Sequence, residues 1–159
     1  MKATIERAVL LKSLGHVQSV VERRNTIPIL SNVLLSAEGA SLEMKATDLD
    51  LEVTEATPAK VERGGATTVP AHLLYDIVRK LADGAEVMLK TDEDGNAMTV
   101  TSGRSSFRLQ CLPQSDFPEL SAGSFSHIFR LDSVALKGLI EKTQFAISTE
   151  ETRYYLNGI

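Results

Sequence analysis

Leu10, Leu14, Val17 and Val21 recur three and four positions apart, and that spacing predicts an amphipathic helix over residues 7–22. Its polar positions, Arg7, Lys12, His16 and Ser19, form the side expected to face water. A second stripe, Leu74, Ile77, Val78 and Leu81, predicts a helix opened by Pro70 and ended near Gly84, with Arg79 and Lys80 off the stripe. A third, Leu136, Leu139, Ile140 and Thr143, follows Asp132, a favoured helix cap. Between these stripes the period shortens. Strands are expected at 2–6, 27–35, 42–47, 49–56, 86–91, 97–102, 104–112 and 127–131. In 49–56, Leu49, Leu51 and Val53 alternate with Asp50, Glu52 and Thr54, which predicts one dry face and one acidic wet face. In 104–112, Phe107, Leu109 and Cys111 share one side, and Arg108 and Gln110 the other. Glu38-Gly39-Ala40 and Asp94-Gly95 mark turns, and 58–65 reads as a loop ending in Gly64-Gly65.

As far as Pro118 the order is strand, helix, three strands, helix, three strands. That pattern predicts an α+β unit of about 120 residues, a two-layer sandwich with both helices on one face of a mostly antiparallel sheet. Beyond Pro118 the pattern restarts. A shift of 125 positions superposes Val9 on Val134, Leu11 on Leu136, Lys12 on Lys137, Leu14 on Leu139 and Asn32 on Asn157. An internal repeat implies a duplicated building block. A chain stopping at Ile159 would leave the second block's sheet edges unpaired, so the sequence is expected to be a fragment of a longer one.

The net charge of −4 argues against a simple basic nucleic-acid binder, but its distribution is uneven. Residues 1–24 carry five basic side chains against two acidic ones, whereas residues 36–62 carry two against seven. The joint between the first helix and the next strand holds Arg23 and Arg24. Guanidinium forks there suit phosphate, and basic residues in a last helical turn also simply complement the helix dipole. Gly15, mid-helix, leaves room for a close partner or serves as a neutral packing position. In the second block, Arg153 with Tyr154 and Tyr155 falls where the arginine pair falls in the first. Tyrosine there either reaches phosphate and base or is buried with a wet tip.

Catalytic chemistry finds no support. His16, His72 and His127 have no cysteine or serine elbow to pair with, Gly64-Gly65 has no following lysine, and no metal-ligand spacing occurs. Cys111, the one cysteine, cannot form an intrachain disulfide and suits a small core position. No apolar run approaches a membrane span and the start lacks a signal-peptide segment, so a cytoplasmic location is expected.

Several motifs then coincide: Thr26-Ile27-Pro28-Ile29-Leu30-Ser31-Asn32, Ala46-Thr47-Asp48-Leu49, Gly65-Ala66-Thr67-Thr68-Val69-Pro70-Ala71, Leu112-Pro113 with Asp116-Phe117-Pro118, and Arg153-Tyr154-Tyr155-Leu156-Asn157-Gly158. In this order they resemble the sliding-clamp family, the β subunit of bacterial DNA polymerase III. The resemblance implies the DNA-clamp fold, with 1–125 a complete first domain and 126–159 the start of a second, the third being absent. It implies a homodimeric ring of three-domain subunits around double-stranded DNA, helices inside and sheets outside, acting as a non-catalytic processivity factor without cofactors. Implied partners are the DNA polymerase III alpha subunit, the clamp loader and other proteins with clamp-binding motifs. The implied DNA contacts are Arg24, Arg153, Tyr154 and Tyr155, with His72 and Arg79, and a loop at Glu150 and Glu151 near the duplex. The client-peptide pocket would begin at Leu156, and the dimer interface would use Arg104, Phe107 and Leu109. A scaffold of repeated α+β domains without DNA contact is the competing reading. His72 and Leu73 stand where the family can carry basic residues, and Glu150 and Glu151 bring negative charge to a loop expected near phosphates.

Overall fold

The computed structural model describes residues 1–22, 26–119, 126–148, 150–156 and 158, apart from the side chains of Glu151 and Tyr154. The chain divides into two compact units, residues 1–120 and 121–159.

Unit 1 is α+β, but it is built on two sheets rather than one. Strands β1 (Lys2–Glu6), β5 (Lys60–Arg63), β7 (Glu86–Thr91), β8 (Ala97–Ser102) and β9 (Ser105–Gln110) form a sheet in the order β5-β1-β7-β8-β9. Strands β2 (Asn32–Glu38), β3 (Ser41–Thr47), β4 (Glu52–Pro58) and β6 (Gly65–Pro70) form a second, ordered β4-β3-β2-β6. All the described strand pairs are antiparallel. The chain changes sheet between β4 and β5, where the Ala59 amide donates to Ala40 O. The sheets meet again at Thr68, whose hydroxyl donates to Leu112 O and accepts from Asn32 Nδ2 and the Leu112 amide. That fills the capacity of a buried hydroxyl.

Helices α1 (Arg7–Val17) and α2 (Ala71–Lys80) lie side by side and close the core. The predicted stripe of α1 is buried as expected: Leu10, Leu14, Val17 and Val21 join Leu74 and Val78 of α2 with the inward residues of both sheets. One face of each sheet therefore turns onto a common apolar interior, with residues such as Leu35, Leu42, Met44, Leu89, Met98 and Val100 fully enclosed.

Several sequence-based boundaries move. Helix α1 ends at Val17 and tightens into a 3₁₀ turn at Gln18–Val20. The strand expected from Ile27 begins only at Asn32, because Pro28 opens a 3₁₀ turn over Pro28–Ser31. Ile29 and Leu30 are buried there against Phe117. The dry face expected from Leu49 and Leu51 does not form. Asp48 Oδ1 accepts the Asp50 and Leu51 amides, the turn holds Leu49 at φ +81°, and both leucines stay exposed. Residues 60–63, expected as loop, pair with β1. Residues 127–131 adopt no strand, whereas the third helix, α3 (Ser133–Thr143), forms with Asp132 Oδ1 accepting the Val134 and Ala135 amides at 3.0 Å.

Candidate nucleic-acid interface and assembly edge

The two helices of unit 1 are locked together at both ends. At the start of α1, Arg7 turns away from water, against the expectation from its polar position, and its side chain is 14% exposed. Its Nε donates to Val78 O at 3.1 Å and one terminal nitrogen to Arg79 O at 2.7 Å. The other terminal nitrogen meets Asp83 at 2.6 Å. Both carbonyls lie in the last turn of α2, where Val78 O also accepts the Leu81 amide and a cation complements the helix dipole. At the opposite end His72 spans from the first turn of α2 to the exit of α1, with Nδ1 3.0 Å from Gln18 Oε1 and Nε2 2.8 Å from Val21 O. Both ring nitrogens are thereby committed, so His72, expected at the DNA face, acts in this fold as a brace. Midway, a β-carbon on Gly15 would meet the Tyr75 ring at 3.8 Å, an ordinary contact. The close partner at this glycine is thus α2 itself.

Beneath α1, Glu55 of β4 accepts a hydrogen bond from Ser13 Oγ at 3.0 Å and lies 2.7 Å from His16 Nδ1. Burial alone would raise this carboxyl, but the bonds from His16 and Ser13, with the nearby His16 and Lys12 charges, hold it below its usual range. One of the seven carboxylates of residues 36–62 is therefore committed to the helix side. The exposed remainder of the pair carries Ala8, Lys12 and His16 on α1, Ser19 in the turn that follows it, and Arg79 and Lys80 on α2. Arg79 pairs with Asp76 at 3.0 Å and stacks 5.7 Å from the Tyr75 ring centre. Arg24, which follows the His72 brace along the chain, lies outside the described residues.

In unit 2, a 3₁₀ segment over Glu151–Leu156 follows the helical region. Arg153 Nε pairs with Glu150 Oε2 at 3.0 Å, so the acidic loop tempers the arginine it adjoins. Tyr155 and Leu156 are exposed, and Leu156 O accepts the Ser148 amide at 3.0 Å. The Tyr154 side chain lies outside the described residues.

The residues expected at an assembly interface fall on or beside β9, the edge strand of the five-stranded sheet. Arg104 sits in the turn before it, beside Gly103 at φ +56°, and is exposed. Phe107 is 39% exposed but Leu109 only 2%. Leu109 belongs to the core, which corrects its expected place on the interface surface: it shares one side of β9 with Phe107, and the core covers that side at Leu109 but not two residues earlier. Phe107 instead borders a cavity of about 220 Å³ shared with Leu73, Ile77, Lys80, Leu81 and Ser105. Leu73 and Ile77 were not singled out from sequence for this edge; Leu73, an apolar residue off the α2 stripe, carried the signal. Cys111 is buried, and desolvation pushes its thiol up, with a Thr67 hydrogen bond opposing. No described helix is long and apolar enough to cross a membrane.

Residues 1–121 match the family model described as the DNA polymerase III beta subunit, N-terminal domain. The beta sliding clamp of Caulobacter vibrioides is 58% identical over 159 residues, all of this chain and 43% of that protein. That of Escherichia coli K12 is 42% identical over 160 residues, with the same coverage. A crystal structure of a sliding clamp from Bartonella birtlesii, bound to griselimycin, aligns with TM-score 0.95 at 60% identity, covering 100% of this chain and 42% of that one. A Pseudomonas aeruginosa sliding clamp, also bound to griselimycin, aligns with TM-score 0.93 at 41% identity, covering 99% of this chain and 42% of that one. The chain thus spans less than half the length of the relatives it matches.

Proposed function

Because the chain belongs to the DNA polymerase III beta subunit family, the sliding clamps, we propose that the protein containing it encircles duplex DNA and tethers the replicative polymerase. The role is non-catalytic. A ring held on DNA by topology needs only weak phosphate contacts, which carry no sequence information and let it slide. Residues 1–125 act as the first clamp domain and 126–159 as the start of the second.

The observation that carries this reading is the braced helix pair. Arg7 and His72 fix α1 against α2 at both ends. The exposed side of that pair carries Lys12, His16, Arg79 and Lys80, while Glu38 and Glu43 are exposed on the strands. Arg24, Arg79, Arg153, Tyr154 and Tyr155 are the proposed DNA contacts, and the His72 brace sets the exit of α1 from which Arg24 follows. Leu156 opens the pocket for short client motifs of the polymerase alpha subunit, the clamp loader and other partners. Two full-length subunits close the ring through the β9 edge, using Arg104 and Phe107 on its surface and Leu109 as the support beneath. The ring works in the cytoplasm.

The test is retention of the full-length protein on nicked circular DNA. Arg24→Ala with Tyr154→Ala is expected to shorten the bound lifetime, and more so as salt rises, while the melting temperature stays that of the parent. Unchanged retention would remove the assigned contacts.

A further inference from the structure

The outward face of the five-stranded sheet carries a feature that neither DNA contact nor ring closure uses. Strand register sets Lys2 directly opposite Lys90, Lys90 opposite Thr99, and Thr99 opposite Arg108. Four strands thus present one transverse row with cations at three of its four positions. At strand spacings of ~4.8 Å the row is about 14 Å long. Like charges directly opposite each other on a sheet destabilise it. Lys2 is relieved by Glu62 at 2.7 Å and Arg108 by Asp92 at 3.0 Å. Lys90, exposed between them, makes no ion pair with any described residue. It borders a concavity of about 410 Å³ whose walls include Met88, Asp92, Thr99, Thr101 and Arg108.

A sheet surface that sets an exposed lysine without an ion pair among the described residues opposite another lysine, beside hydroxyl donors and an apolar methionine, is complementary to an anion. We propose that this row is a docking surface for a short acidic segment of a partner protein. Carboxylates of that segment meet Lys90 and Lys2, the Thr99 and Thr101 hydroxyls of the concavity donate to it, and an apolar side chain rests on Met88. About five extended residues cover the row at ~3.3 Å each. A peptide fits better than a nucleic acid strand. The same face carries Glu62 and Asp92 within the row's reach and a Glu6–Glu86 pair at its far end, which discrete carboxylates avoid and a continuous polyanion meets.

The experiment uses the full-length protein and a fluorescein-labelled Glu-Leu-Glu-Leu-Glu peptide, with Gln-Leu-Gln-Leu-Gln and a twenty-residue thymidine oligonucleotide as comparisons, read by fluorescence anisotropy. Expected is saturable binding of the acidic peptide that weakens with salt and drops at least ~10-fold in both Lys90→Glu and Arg108→Glu. Lys90→Glu places an opposite charge across from Lys2, so it melts at or above the parent temperature, and loss of binding cannot be loss of fold. Lys90→Gln serves as the milder second variant, with an intermediate affinity expected. The proposal is overturned if the acidic peptide binds no better than the glutamine peptide, if Lys90→Glu binds it as the parent does, or if the oligonucleotide binds more tightly and loses that binding in Lys90→Glu.

Discussion

Replacing Arg7 by alanine tests whether the helix pair is held by its ends. Two of its hydrogen bonds end on the Val78 and Arg79 carbonyls, and the third reaches Asp83, whose side chain is 94% exposed. A charged donor to a carbonyl contributes ~1.5 kcal/mol or more, and a surface ion pair contributes little. The loss expected for Arg7→Ala is therefore about 2–4 kcal/mol, including the Arg79 carbonyl left without its donor, while Val78 O keeps the Leu81 amide. Unfolding entropy of ~2.1 cal/mol/K per residue gives roughly 0.25 kcal/mol/K for a unit spanning residues 1–120. The melting temperature should fall by about 8–16 °C. Arg7→Lys keeps the charge but not the fork, so it should recover only part of that fall. Asp83→Ala should melt within ~2 °C of the parent. Differential scanning calorimetry on the three variants decides it. An Arg7→Ala protein melting with the parent, or an Asp83→Ala protein as unstable as Arg7→Ala, would show that the brace is not where the stability lies.

Acid should loosen α1 from the sheet beneath it. Glu55 has a native value below its ordinary 4.5, so its contribution is present above that ordinary value and disappears as pH falls through the lower native one. Thermal melts at about pH 5 and pH 3 should show a smaller acid-induced drop for Glu55→Gln than for the parent; parallel drops would exclude the linkage. On β9, Leu109→Ala should destabilise the unit itself by ~2–5 kcal/mol, about 8–20 °C, since the side chain is buried in the core. Phe107→Ala should spare the melt of the chain and instead raise the dimer dissociation constant of the full-length protein at least ~10-fold, read by analytical ultracentrifugation. A reversal of those two outcomes would reverse their assigned places.

Helices were the most legible part of the sequence. The stripe of Leu10, Leu14, Val17 and Val21 is buried as its spacing predicts, and so are Leu74 and Val78. Strand boundaries were less so, because local chemistry overrode periodicity. Asp48 captures two amides and turns an apparently alternating run into a tight turn, and Pro28 imposes a 3₁₀ turn inside an apolar run. The change of sheet after β4 was hidden because β5 is four residues long and rests on pairing with β1, about sixty residues away in sequence. Residue roles were legible by type but not by partner. Polar Arg7 and His72 both looked outward-facing, and only tertiary packing sets the Val78, Arg79, Gln18 and Val21 acceptors within their reach. The two-residue spacing of Phe107 and Leu109 fixed their common side of β9, but where the core stops along that strand is a property of the whole sandwich.

Topological linkage is the proposed property from which the other proposed roles follow. The full-length protein, loaded onto nicked circular DNA and passed over a sizing column, should stay with the circle and leave it once a restriction enzyme linearises the DNA. Dissociation at the same rate from circular and linear DNA would contradict an encircling ring.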